Sequence, residues 1–488
     1  MLVGLVTLLA LFWTEERVRG KYEWEAYKEK WEAKGEHFDF AHFVPPPVPD
    51  DQNFFKAPIW SAAFKQRWMP ALTPGVLKAV AAPADSDDPL AMNAFVSPVH
   101  GLYPPFETGS WSEGKITNLG DPAAWHRYFR RAAEVTNLFP ILSRPRSPAE
   151  SWLLLLSRHD RAIEALRRAG RRPQSRLPLD YGNPSGPSAA LMPIVIDLRG
   201  CIHVLNLRAA AELAESNTSE AFSDVKLMFR LTDSIRNQPL FISQMVRVAM
   251  MAITLDPVYA GLPEHRWDDT QLAGLEAELA KEDFLADYDF TMRGERAFGF
   301  SLVSSSPRYR LNPFRYQYCL ALARMYRQWV LPVVDLKART LSPTRARRLQ
   351  QDEATAWKHT TLYNILVKTA FRNIRHVEPR FALAQAGVDL ARVGCALERY
   401  RLAHGEYPVG LDELASRFIP KVPHDLINGQ PLHYRRTPDG RFVLYSVGWN
   451  GKDDGGVRSG ATAFNEQWLE SGDWVWEYPA SHASGPQK

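Results

Sequence analysis

Cysteine is nearly absent from this sequence: Cys201, Cys319 and Cys395 are the only three in 488 residues. No two are spaced as a metal-ligand pair, and an odd number set among apolar neighbours excludes a disulfide scaffold. They read as small core residues. A strong charge bias is also missing. The 59 Lys and Arg against 55 Asp and Glu leave +4, too little to argue for a nucleic-acid partner. The arginines do cluster, at Arg167, Arg168, Arg171, Arg172 and Arg176 and again at Arg345, Arg347 and Arg348. A solvated face is the simpler reading of both clusters, with anionic lipid or a partner as the alternative. Local catalytic signatures are absent too: there is no Gly-rich phosphate loop, HExxH, CxxC or GxSxG. A site assembled from distant helices leaves no such spacing, so an enzyme with a cleft in the helical body stays open as the alternative. The nearest acidic cluster there is Asp287, Asp289 and Glu295, where an ordinary charged helix surface is the plainer reading. The histidines His203, His265, His359 and His376 have no histidine three or four positions away and read as structural or exposed.

A long uninterrupted apolar run is lacking as well. Leu2 to Trp13 is apolar apart from Thr7. As a helix it spans about 18 Å at ~1.5 Å per residue, whereas a bilayer core needs about 20 residues. No basic region precedes it and no small-residue cleavage site follows it, so it does not read as a cleaved signal peptide. The expectation is an uncleaved N-terminal membrane anchor, which a start upstream of Met1 would lengthen. An interfacial or core helix is the alternative. Glu15 and Glu16 alternate with Arg17, Arg19 and Lys21, so the charges do not set an orientation.

What is present is mostly helical pattern, divided into four regions. Residues 1–34 are the apolar anchor and a charged helix, with Trp24, Tyr27 and Trp31 at i, i+3, i+7 spacing and Gly35 as its stop. Residues 35–120 form a Pro-rich linker and an irregular segment. Its Pro45-Pro46-Pro47 run demands extended backbone and reads as a strap over the body, because the flanking phenylalanines favour burial.

Residues 121–375 form a helical body. Asp121-Pro122 and Ser147-Pro148 are helix-opening pairs, the second leading to about Ala169 and stopped by Gly170. Further helices are expected from Pro193 to about Trp267 with breaks, from Asp268 to Lys281, from Tyr316 to Leu336 and from Pro343 to Ala370. The stretch around Asn217 and Thr218 is weakly similar to one tetratricopeptide unit, without clean copies at a fixed period. Residues 376–488 open with a helix from Glu378 to Leu402 that is apolar over two stripes, Phe381/Ala384/Val388/Ala391/Cys395 and Leu383/Gly387/Leu390/Gly394/Leu397. A helix of that kind is packed on two sides.

The tail then changes period. Thr437-Pro438-Asp439-Gly440 is a turn between strands Leu432–Arg436 and Arg441–Val447, and Trp474, Val475, Trp476 and Tyr478 supply a third strand. Next to the second strand lies Gly448-Trp449-Asn450-Gly451-Lys452-Asp453-Asp454-Gly455-Gly456. Adjacent aspartates among glycines repel one another unless something positive lies between them. Oxygen ligands in a pliant loop suit Ca²⁺, and a solvent-exposed acidic turn is the alternative.

This tail resembles the C-terminal domain of the major pseudopilin of type II secretion systems (type II secretion system protein G). Leu397, Tyr400, Gly405, Tyr407 and Pro408 match that family's helix end. Pro423-His424-Asp425, Gly429-Gln430-Pro431-Leu432 and Tyr434 match its connection and first strand. Tyr445-Ser446-Val447-Gly448 with Asn450-Gly451, Asp453-Asp454 and Asp473-Trp474 match its loop. The resemblance covers about the last hundred residues. The helical pattern makes the fold mainly α, with a helical body, and the resemblance implies a C-terminal α+β module in which a long helix packs on a small antiparallel sheet. It also implies a calcium loop with Asn450, Asp453, Asp454 and Asp473 as ligands. Asn450 stands where the family usually has Asp, and an insertion from Val457 to Gly472 precedes Trp474. The N-terminus has neither the family's processed start nor its membrane-embedded glutamate, so the chain is not expected to be an ordinary filament subunit. The expectation is a non-enzymatic, membrane-anchored bacterial envelope protein, held in the inner membrane by one N-terminal helix with its bulk in the periplasm. Its partners would be envelope or secretion-system proteins.

Overall fold

The computed structural model describes residues 2–60, 147–182, 186–365, 367–368, 377–458 and 469–477. The Asp121-Pro122 helix start, most of the irregular segment and much of the Val457–Gly472 insertion lie outside the described residues.

Helix α1, Leu2–Glu32, is continuous, so the apolar start and the charged segment form one rod. Its C-terminal half is pinned by aromatics. Trp24 lies 4.9 Å from Phe300 and 5.6 Å from Phe38, ring centre to ring centre. The polyproline segment is laid on the body: Phe43, Phe54 and Phe55 are buried, and the Pro45 carbonyl accepts from Arg176 Nε at 3.0 Å.

The body follows as α2 (Pro148–Leu156), α3 (Asp160–Gly170), α4 (Gly186–Ala214), α5 (Thr218–Asp233), α6 (Phe241–Gly261), α7 (Asp269–Leu279), α8 (Phe284–Ser305), α9 (Arg315–Met325) and α10 (Pro343–Ala356). Caps explain the starts. Ser147 Oγ accepts from Glu150 N at 2.9 Å, and Asp268 forms a full capping box with Gln271. Several expectations change. The Ser147–Ala169 helix is two helices joined by a 3₁₀ turn, Ser157–His159. The helix expected to reach Leu336 passes through a π-helical turn, Tyr326–Val330, and ends near Val333. Val334–Asp335 (β1) then pairs with Thr340–Leu341 (β2) as a small ribbon. Helix α10 ends at Ala356, not Ala370. Helix α8 has no counterpart among the expected helices: beside its Phe284, Tyr288 and Met292 stripe it buries Asp287, Thr291 and Arg296, and these polar positions mask the pattern.

Helix α11, Glu378–His404, is buried almost all round and ends on Gly405 in the left-handed conformation, φ 82°. One stripe meets the body: Phe381 sits 5.3 Å from the Tyr288 ring of α8, and Gln385 Oε1 accepts from Phe284 N at 2.7 Å. At Gly394, on the other stripe, the absence of a side chain makes room for Trp476. The sheet there is three-stranded and antiparallel, β3 (His433–Arg436), β4 (Phe442–Ser446) and β5 (Trp474–Glu477), in the order β3-β4-β5. The two-sided packing inferred from the sequence is therefore present. Polar contacts reinforce it: ion pairs of Arg392 with Glu276 at 2.9 Å and Arg399 with Asp269 at 2.8 Å, and a hydrogen bond between His265 Nδ1 and Glu398 at 2.8 Å. All three cysteines are buried.

Among the described residues, the helix long and apolar enough to cross a membrane is α6, not α1. Its apolar window is 61% buried, and it packs on α4, α5, α8 and α11 as a core helix. The apolar end of α1 instead stands clear of the body, with Val3, Leu5, Val6, Leu8, Leu9, Leu11 and Phe12 all exposed.

Candidate functional site: the C-terminal acidic loop

The loop is built on the end of β4. Ser446 Oγ and Val447 N both donate to the buried Asp425 carboxylate at 2.9 Å, and Ile427 N donates to it at 2.9 Å. Asp425 thereby staples the connection to the sheet, while burial pushes its carboxyl above the usual range. Gly448 follows at φ 67°. A Cβ there would lie 2.8 Å from the Gly472 carbonyl, so glycine is required where the two ends of the loop meet.

Asn450, Asp454 and Asp473 are brought together. Asn450 Nδ2 donates to Asp454 Oδ2 at 2.8 Å, while its Oδ1 accepts from Lys452 N at 2.9 Å. The buried Asp473 accepts from Asp454 N at 3.1 Å and from Gly456 N at 2.7 Å. Burial raises the Asp473 carboxyl, against the pull of those amides. Asp453 turns away. It accepts from Gly455 N at 2.9 Å and from Tyr445 Oη at 3.0 Å, and lies 3.4 Å from His433 Nδ1, whose ring stacks on Tyr445. The Gly455 amide, then the Tyr445 hydroxyl, hold its carboxyl below the usual carboxylate range.

The adjacent aspartates thus have different partners: Asp453 accepts from Gly455 N and Tyr445 Oη, and Asp454 accepts from Asn450 Nδ2. The donor set is all oxygen, which suits Ca²⁺ chemically. The geometry is not a closed cage: among the described residues no group of three His, Cys, Asp or Glu is placed to share a metal ion. Asp425 and His433 are parts of the site that loop spacing alone does not show.

The three body acids are tied into the fold. Asp287 pairs with Arg247, Asp289 with Arg293 at 2.7 Å, and buried Glu295 accepts from Phe241 N at 2.8 Å. No family model matches the chain, and neither the curated proteins nor the solved structures contain a match.

Proposed function

We propose that this chain is a non-enzymatic, membrane-anchored bacterial envelope protein. In this reading the helical body holds a pseudopilin-like C-terminal module in fixed position for binding or assembly, beside a type II secretion or pilus-like apparatus. The observation that carries the reading is α11: its body face and its sheet face are both buried, so whatever the module binds is held rigidly to the body. The exposed apolar end of α1 supports the anchor. Asp287, Asp289 and Glu295 are each engaged in contacts that hold the fold, which accords with the charged-helix reading of those acids. Cell fractionation tests the reading. The protein is expected in the inner-membrane pellet, released by detergent and not by high salt, with the module open to protease added to the periplasm. Recovery in the soluble cytoplasm would sink it.

Calcium at the acidic loop belongs to the same proposal, supported by the oxygen donor set and by the clustering of Asn450, Asp454 and Asp473. A ligand bound only by the folded state at 100 times its dissociation constant adds about 2.7 kcal/mol. Millimolar calcium is therefore expected to raise the melting temperature of the full chain relative to chelator. The rise should vanish when Asp453 and Asp454 are both changed to Ala. A melt indifferent to calcium would leave the loop as a hydrogen-bonded turn.

A further inference from the structure

We propose that the body itself rests on lipid, through a collar of apolar side chains around the point where α1 leaves it. This rests on the membrane reading of α1 and extends it to a second, non-helical contact. The exit point is fixed by Glu16, which is buried. Its carboxylate receives Tyr363 Oη at 3.0 Å, Gln317 Nε2 at 2.9 Å and Arg19 Nη2 at 2.7 Å. One turn toward the N-terminus, polarity changes. Phe12 meets Phe314 edge-on at 6.3 Å, and Phe314 meets Tyr363 edge-on at 5.4 Å. Beside this ladder, Leu311 is 71% exposed, Leu362 61% and Ile365 45%. Three separate segments thus meet through aromatic rings at Phe12, Phe314 and Tyr363, and each carries exposed apolar side chains close by in sequence.

Several large apolar side chains exposed around one contact point, rimmed by polar groups, are the pattern of an interaction site. The occupant is identified by continuity and charge. The patch joins the exposed apolar end of α1 through the contact of Phe12 with Phe314, and along α1 the cations begin beyond that contact, with Arg17 over the Trp13 ring and Arg19 at Glu16. Apolar side chains, then aromatic rings, then arginines is the order of a bilayer interface. Depth points the same way. The apolar stretch of α1 is about 18 Å long, and all of it enters lipid only if the body sits flush at the level of Phe12. A polar surface there would resist that approach, whereas Leu311, Leu362 and Ile365 favour it.

The test uses the full chain with phospholipid vesicles of mixed zwitterionic and anionic composition. Leu311→Cys, Leu362→Cys and, outside the collar, Val409→Cys each carry a polarity-sensitive fluorophore; the native cysteines are buried. Vesicles are expected to shift the emission of the first two to the blue and to leave the third unchanged. The Leu311→Asp, Leu362→Asp variant should keep its melting temperature and lose vesicle affinity by roughly tenfold per leucine. Flotation with vesicles but no shift at Leu311 and Leu362 overturns the collar and leaves the anchor standing. Absence of flotation overturns both. A blue shift produced by protein concentration alone assigns the face to a second copy and overturns the lipid proposal.

Discussion

Trp476→Ala is expected to destabilise the protein by about 3–5 kcal/mol, the range for truncating a large buried aromatic, and to do so by separating the C-terminal sheet from the body. Trp476 is buried on β5 and sits where three parts of the chain meet. Its ring lies 4.3 Å from Tyr259 of α6, in edge-to-face geometry. Its indole would lie 3.3 Å from a Cβ at Gly394 of α11. Next to it, Arg458 Nη2 donates both to Tyr259 Oη at 3.0 Å and to the Val475 carbonyl at 3.3 Å. Truncation would leave a cavity bounded by rigid helices, which relax only partly. The measurement is the denaturant midpoint of the full chain, with Val409→Ala, on an exposed site, as a control expected near zero. A loss below about 1 kcal/mol would mean that the contact between sheet and body is incidental.

Arg247→Ala should cost a similar amount, about 3–5 kcal/mol, for a different reason. Arg247 is fully buried on α6, pairs with both Glu282 and Asp287, and lies 4.5 Å over the Phe284 ring. Removing it leaves two buried carboxylates, with Arg236 reaching only Glu282, at 2.6 Å. Burial already raises the carboxyls of Glu282 and Asp287, and Arg247 is the first charge opposing that rise. Without it both carboxyls rise further and bind protons more readily in the folded state than in the unfolded one. Stability of the variant is then greatest below the ordinary carboxylate range and declines as pH rises through the raised folded values. The deficit measured at pH 8 should therefore exceed that at pH 5. Adding Glu282→Gln and Asp287→Asn should recover most of the loss, since no uncompensated buried charge remains. A deficit independent of pH and not repaired by those changes would assign the cost to lost packing.

The sequence made some of this legible and hid the rest for identifiable reasons. Period 2 in Phe442–Ser446, a Pro-Asp-Gly turn and the Trp474–Trp476 segment led directly to the three strands, because alternation and turn chemistry are local. The two stripes of α11 led to packing on both sides. The body was less readable. Helix α8 carries Phe284, Tyr288 and Met292 on one face, but it also buries Asp287, Thr291 and Arg296, so polar residues interrupt the apolar pattern. The ribbon Val334–Leu341 follows a π-helical turn within what reads as continuous helix, and its two-residue strands are too short for a periodic signal. At the acidic loop, residue types suggested ligands, and Asn450, Asp454 and Asp473 do meet. Only the fold turns Asp453 toward Tyr445 and His433, contacts made across strands and out of reach of loop spacing. Helix α6 and not α1 is long and apolar enough to cross a membrane because the apolar stretch of α1 ends at Glu15, whereas α6 is apolar as a core helix surrounded by protein.

The central claim is that the helical body and the C-terminal module form one cooperative unit through α11. Denaturant unfolding of the full chain tests it most directly. Helicity reports mainly on the body, and a fluorophore on Val409→Cys reports on the module. A single transition with coincident midpoints is the result this account predicts. Two separated transitions, with the module signal lost while body helicity persists, would contradict it.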